Sequence, residues 1–326
     1  LFCGNICHDM ATGEVLESVV DTAESIARME VRGAAAIAEA AATALRDQAT
    51  ASDATDSETL RAEVRAAART LYVTRPTAVS LPNTLRYVLN RMDGGAVESV
   101  RESVDSAVEE VCARLDRAQS DLGAVGANRL SSGDTVMTHC HSTDVLACLE
   151  TATERGTDLS AIVTETRPRK QGHLTARRLD DLGVPVTFIV DSAAHSYLDE
   201  VDHVFVGADT ITAEGTVVNK IGTAGLAASA RVRDVDFVVA AQTLKLDPET
   251  LAGPRVDIEH RAPGEVLSDD RRAEFDSLAV ANPAFDRTPA RHVDAILTER
   301  GQFPPESIVT LMRDLYGPEP GRPWEE

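Results

Sequence analysis

The chain has 326 residues, 43% of them hydrophobic, with 53 acidic against 32 basic side chains and a formal charge of −21. That length and apolar content allow a globular protein of two domains with ample cores, and they exclude a disordered chain. No apolar run approaches the ~20 residues that a bilayer span requires, and no basic stripe interleaved with aromatics offers a nucleic-acid face.

The basic residues are lopsided: three lysines, Lys170, Lys220 and Lys245, stand against 29 arginines. An acidic, lysine-poor surface suits a protein adapted to high salt. At about 1 M the Debye length is roughly 3 Å, so the overall negative charge hardly repels an anionic ligand. All three lysines fall in Gly/Pro-punctuated segments near predicted strand ends. A guanidinium replaces a compact ammonium poorly, which makes at least two of these positions candidates for function, with chance placement as the alternative.

In chain order, "LFCGNICHDM" has neither the basic region nor the long apolar stretch of a signal peptide. Residues 1–10 read as an extension ahead of the body of the protein, which is expected in the cytoplasm. Cys3, Cys7 and His8 resemble half a zinc site, but no second half follows at zinc spacing. The cysteines at 3, 7, 112, 140 and 148 make no disulfide framework. Cys112 and Cys148 lie among Val, Ala and Leu in helical patterns and read as small buried hydrophobes.

Residues 11 to about 125 read as helices. "GEVLESVVDTAESIARME" has apolar residues at helical spacing, and "GAAAIAEAAATALRDQ" is almost pure helix former. Thr55 and Glu58 have the spacing of a capping box opening the next helix. "TRPTAVSLPN" stops that helix at Pro76 and Pro82. Two further helices are expected over roughly 84–92 and 95–122. From residue 126 the texture changes: "TVMTHC", "SAIVTET", "VPVTFIV", "HVFVGAD" and "DFVVAA" alternate with helical stretches. Nearly continuous apolar strands between helices predict βαβ units and a parallel sheet. The predicted architecture is α/β: an N-terminal helical domain over 1–125, then a Rossmann-like parallel-sheet domain over 126–326 that carries catalysis. The tail "YGPEPGRPWEE" is expected to be extended, against a neighbouring subunit.

Ligands of open parallel sheets bind beyond the carboxyl ends of the strands. That rule nominates Cys140, the "TETRPRKQG" segment, Asp191, Asp209 and Lys245. "NKIGTAG" opens a small-residue helix, where Asn219, Lys220 and the N–H groups near Gly222 and Thr223 form a candidate anion site. Neither G-x-G-x-x-G nor G-x-x-x-x-G-K-[ST] is present. His139 and His141 flank Cys140, but strand alternation turns them away from the thiol. A metal site, a buried structural cysteine and a working thiol all remain open at this stretch. As a working thiol, Cys140 is expected below the free value of about 8.5.

"RGAAAIAEAAA", "TRPTAVSLPN", "THCHS", "TETRPRKQG" and "GADTITAEGTVVNKIGT", with the later Lys245, together resemble the sugar-phosphate isomerases related to the regulatory subunits of translation initiation factor 2B. The order and spacing match from about residue 15 to the C-terminus, most closely in the archaeal branch. The resemblance implies isomerisation of α-D-ribose 1,5-bisphosphate to D-ribulose 1,5-bisphosphate in nucleotide (AMP) breakdown. The alternatives it carries are S-methyl-5-thioribose 1-phosphate as substrate, or a non-catalytic regulatory subunit. It implies Cys140 as the group that takes the C2 proton. Asp209, held protonated in an apolar enclosure, would open the ring or return a proton.

The resemblance assigns phosphate and sugar binding to Arg32 with the Gly33-Ala34-Ala35 backbone, Arg75, Ser142, Thr143, Asp144, Asn219, Lys220 and Lys245, with Arg167 and Gln171 as lesser additions. Family members often carry glycine where Ala35 stands, so backbone approach there is expected to be less close. The charge of Asp144 beside a bisphosphate implies a carboxylate turned away from phosphate. The resemblance implies neither a metal nor a cofactor. It does imply a homo-oligomer, a dimer or hexamer.

Overall fold

The computed structural model describes residues 15–75, 77–253 and 256–325. The expectations for Cys3, Cys7, His8 and the 1–10 extension lie outside the described residues. The chain divides into two compact units, Leu1–Leu115 with Gly321–Glu326, and Asp116–Pro320.

The first unit is helical: α1 (Glu17–Ala27), α2 (Ala34–Ala51), α3 (Ser57–Tyr72), α4 (Ser80–Leu89) and the first part of α5 (Val97–Ala127). Alanines carry the close packing. Ala38, Ala41 and Ala42 of α2 are fully buried beside Leu45, and α2 packs against α1, α3 and α4. Small side chains let backbones approach without rotamer cost. The cap of α3 is Asp56 rather than Thr55: its carboxylate accepts from the Thr59 N–H at 2.9 Å and the Thr59 hydroxyl at 2.7 Å. Pro82 does not keep a helix from forming before residue 84. It sits third in α4, where its missing N–H has no intrahelical acceptor to lose.

The tail packs on its own chain. Trp324 is fully buried in the core of the first unit, 4.8 Å from the Tyr72 ring, and its carbonyl accepts from Arg69 Nη2 at 2.7 Å. Helix α5 ends where the sequence texture changes, whereas the units divide inside it. Its Leu115 packs on the first core, and Leu122 and Ala127 belong to a core of the second unit.

The second unit is α/β. Its main sheet holds β1 (Thr135–His139), β2 (Ser160–Thr164), β3 (Val186–Ile189), β4 (His203–Val206), β7 (Asp236–Ala240), β10 (Ala295–Thr298) and β11 (Gly301–Phe303). A smaller sheet holds β5 (Thr210–Thr212), β6 (Val217–Lys220), β8 (Leu246–Asp247) and β9 (Phe285–Thr288). Helices α6 (Thr143–Glu154), α7 (Gly172–Asp181), α8 (Ala194–Tyr197), α9 (Thr223–Arg233), α10 (Asp269–Arg272) and α11 (Ile308–Tyr316) complete it.

The main sheet runs β11-β10-β7-β4-β1-β2-β3, parallel except for antiparallel β11. Ignoring β11, this is the doubly wound Rossmann-like order, whose direction reverses between β1 and β4. Alternate residues serve opposite faces: Met137, Val204, Val206 and Val239 join one core, and Val136, Phe205, Val238 and Ala240 the other. Each such burial contributes about 1.5–3 kcal/mol, which holds the strand ends in place.

Candidate active site

His139 and Val206 are register partners at the last positions of β1 and β4. The segments that follow, Cys140–His141 and Gly207–Asp209, therefore emerge side by side at the reversal point of the sheet. They are closely packed: a Cβ on Gly207 would stand 2.4 Å from Ser142 Oγ.

Cys140 is left-handed, with φ 75°, as is Thr166, with φ 65°. Each such non-glycine residue costs about 1–3 kcal/mol and persists only where its surroundings hold it. Here they do. The Cys140 N–H donates to Thr166 Oγ1 at 2.8 Å, and its carbonyl accepts from Thr175 Oγ1 at 2.8 Å. Asp191, at the end of β3, accepts from the N–H groups of Thr166 at 2.6 Å and Arg167 at 2.7 Å. The thiol is 3.6 Å from Gln171 Oε1.

The thiol is not acidic in this state. Burial pushes Cys140 up to about 11; Lys220 and Arg261 oppose the rise and the charge of Asp209 adds to it. The expectation of a value below that of a free thiol is overturned because the strand end is enclosed, with Cys140 only 8% exposed, and desolvation outweighs the cations. Asp209 also departs from expectation. It is exposed in the chain rather than held in an apolar enclosure, while its charge still acts on both Cys140 and Lys220.

The histidines are placed by hydrogen bonds rather than by strand alternation, because the strand ends at His139 and Cys140 is left-handed. His139 Nε2 is 2.9 Å from the Ile221 carbonyl, which only accepts, so Nε2 carries the proton. Nδ1 then accepts from the Thr164 hydroxyl at 2.6 Å. Burial holds His139 below its usual value, consistent with this neutral ring. Both ring nitrogens are thus taken by protein groups. Among the described residues no group of three His, Cys, Asp or Glu gathers as for a metal ion. His141 Nδ1 lies 3.1 Å from Thr175 Oγ1.

Lys220 ends β6 and is nearly buried, its Nζ 4.7 Å from the Phe285 ring centroid. Desolvation holds it below the usual lysine range. The anion site expected at the start of α9 is already occupied by a carboxylate of the chain. Asp286 of β9 accepts from the N–H groups of Gly222 at 2.7 Å and Ala224 at 3.1 Å. Asn219 is drawn into the same turn and donates to Thr223 Oγ1 at 3.0 Å. Lys245 does not stand open either. Its Nζ is 2.8 Å from Asp144 Oδ2, and Asp144 also accepts from Gln242 N at 3.3 Å and Nε2 at 3.1 Å. Asp144, 1% exposed, is thereby turned inward on its own partners.

Ser142 caps α6, accepting from the Val145 N–H at 3.3 Å, and Thr143 is exposed. In the first unit, Gly33 is the N-cap of α2 at φ 90° with no side-chain cap, and Ala34 and Ala35 form its first turn. Arg32 is exposed and bonds the Met29 carbonyl, and Arg75 is half-buried beyond α3. The second unit thus brings together Cys140, Asp209 and Lys220, and separately joins Asp144 to Lys245.

Sequence reasoning missed Arg261, which lies in "IEHRAPGE", a segment without strand or helix periodicity. It lines an open cleft with Lys220, Thr166, Arg167, Arg169 and Glu265.

The sequence profile of the Initiation factor 2 subunit family matches residues 30–305. The chain is 64% identical to a ribose 1,5-bisphosphate isomerase of Haloferax volcanii, over 94% of each chain. It is 60% identical to one of Haloterrigena turkmenica, over 96% of this chain and 98% of the other. A solved structure of the Pyrococcus horikoshii OT3 translation initiation factor eIF-2B superposes with a TM-score of 0.74 at 28% identity, covering 90% of this chain and 99% of that one.

Proposed function

The chain belongs to the initiation factor 2 subunit family, and within it we propose that it is an aldose–ketose isomerase converting α-D-ribose 1,5-bisphosphate to D-ribulose 1,5-bisphosphate. The observation that carries this reading is the pairing of a thiol and a carboxylate at one sheet reversal point beside a nearly buried lysine. The reaction moves a proton from C2 to C1 and breaks the bond between C1 and the ring oxygen. It needs a base at C2, an acid at the ring oxygen and cations for a doubly phosphorylated ligand.

Cys140 moves the carbon-bound proton and Asp209 serves the ring oxygen. The resting thiol holds its own proton, so the reactive thiolate is a minor species that Lys220 and Arg261 stabilise. Within the second unit, phosphate and sugar contacts fall to Lys220. Asn219, Ser142 and Asp144 act by shaping the loops. The enzyme works as a homo-oligomer in the cytoplasm at high salt, which its charge of −21 suits.

The test is direct. Purified protein in molar salt is mixed with ribose 1,5-bisphosphate and ketose formation is followed, with methylthioribose 1-phosphate as the control. Turnover of the bisphosphate is expected, and its absence overturns the reading. Cys140→Ser and Asp209→Asn are each expected to abolish turnover while circular dichroism stays unchanged. Full activity in either variant removes that residue from the mechanism.

A further inference from the structure

A buried cation normally has a partner, because stripping it of water is costly unless an anion or hydrogen bonds replace the lost hydration. Two cations of the cleft meet that expectation only in part. Lys220 is 9% exposed; among the described residues its ammonium takes no hydrogen bond or close ion pair, stands 4.7 Å from the Phe285 ring and feels the charge of Asp209 at longer range. Arg261, its side chain 13% exposed, donates from Nε to Glu259 Oε1 at 3.2 Å, and its two Nη atoms take no hydrogen bond among the described residues. The Arg261 guanidinium lies 5.8 Å from the same Phe285 ring. The other arginines of the cleft are placed differently. Arg169 is held by Glu265 through Nε at 2.9 Å and Nη2 at 2.6 Å, and Arg167 is exposed.

The local backbone keeps Arg261 where it is. Its N–H donates to the Asn282 carbonyl at 2.9 Å, and the Ala284 N–H donates to the Glu259 carbonyl at 2.8 Å. The 259–261 segment is therefore paired along the run that enters β9, the strand that carries Phe285 opposite Lys220. Two like charges are thus held against one ring, facing one cleft, with no hydrogen bond to Nζ or either Nη among the described residues.

We propose that Lys220 and Arg261 form a two-cation clamp for the 1-phosphate of the sugar, with the paired Nη donors of Arg261 gripping two phosphate oxygens. A dianion matches two cations in charge, and a guanidinium edge matches two phosphate oxygens in geometry. The clamp serves the reacting end of the sugar because its cleft is also lined by Thr166, whose hydroxyl oxygen accepts the N–H of Cys140 at 2.8 Å, and Cys140 works at C1 and C2. This inference rests on the isomerase reading for the identity of the ligand, but the clamp itself can be measured without turnover.

Binding of inorganic phosphate, ribose 1-phosphate and ribose 5-phosphate is measured by calorimetry at fixed ionic strength, for the full chain and for Arg261→Gln, Arg261→Lys and Lys220→Met. Loss of a charge-assisted pair is expected to weaken ribose 1-phosphate binding by about 10- to 100-fold in Arg261→Gln. Arg261→Lys keeps the charge without the fork and is expected to recover only part of the affinity. Ribose 5-phosphate is expected to lose little. Unchanged ribose 1-phosphate affinity in Arg261→Gln overturns the clamp. So does a loss confined to ribose 5-phosphate, or complete rescue by lysine. Among the described residues the Arg261 side chain hydrogen-bonds Glu259 alone, so the variant is expected to fold, and a matching melting temperature verifies it. A clamp that binds ribose 1-phosphate in a chain that fails to isomerise the bisphosphate separates the two readings.

Discussion

Replacing Asp144 by asparagine keeps the side-chain volume but removes the charge that the structure sets against the Lys245 ammonium at 2.8 Å. Asp144 is 1% exposed and the Lys245 side chain 14%. Breaking a buried pair by removing one partner costs about 3–5 kcal/mol. Lys245 can turn partly to water, which moves the expectation to the lower end, about 2–3 kcal/mol. The amide also points a donor at Lys245 Nζ or at Gln242 Nε2, whichever way it is flipped. In a unit of this size each kcal/mol lowers the melting temperature by roughly 2–4 °C, so Asp144→Asn is expected to melt about 5–10 °C lower. Thermal unfolding followed by circular dichroism reads the shift. Because the pair is enclosed, the shift is expected to persist from low to molar salt, where exposed pairs are screened. The double variant Asp144→Asn with Lys245→Met is expected to recover most of the loss, since it removes both desolvated charges together. A shift below about 1 °C, its disappearance in molar salt, or simple additivity in the double variant would refute the pairing as the main role of Lys245. In that case a raised KM in Lys245→Met, with an unchanged melting temperature, returns the ammonium to the substrate.

Three other outcomes are expected. If the Cys140 thiolate is the base, kcat/KM rises about tenfold per pH unit above neutrality, because the proton of a thiol held near 11 must leave. The rise levels where Lys220, held below the usual lysine range, begins to lose its charge; a profile flat through neutrality would show the thiol acting as an acid instead. Gly172→Ala would place a Cβ 1.8 Å from the Thr164 carbonyl oxygen, so a loss of about 3 kcal/mol is expected in chemical denaturation, and wild-type stability would contradict the packing. Trp324→Ala, which empties a fully buried site, is expected to cost about 3–5 kcal/mol, and an unchanged unfolding midpoint would show that the tail contributes nothing to the helical core.

The five strands read from the sequence correspond to β1, β2, β3, β4 and β7; all but β3, an edge strand with Thr187 and Phe188 exposed, are apolar runs buried on both faces, which have a simple signature. The small sheet was only partly legible. Strands such as Leu246–Asp247 and Phe285–Thr288 are short, with one charged residue in the first and two in the second, and pair with segments distant in the chain. The helix start at Asp56 and the place of Pro82 inside α4 were misread by a residue or a turn, because neighbouring polar residues compete for one cap and proline is tolerated in a first turn.

At the site, the sequence alone nominated Cys140, Asp209 and Lys245, since strand ends of a parallel sheet must converge and their polar residues are visible as interruptions of apolar runs, and Lys220 from the helix start in "NKIGTAG". Protonation and partnership were decided only by the tertiary structure. Burial that raises the Cys140 thiol, the carboxylate of Asp286 at the start of α9, the inward pairing of Asp144 with Lys245 and the arrival of Arg261 beside Lys220 all join residues far apart in the chain. Desolvation and Coulomb terms depend on distances across the fold, and local pattern does not encode them.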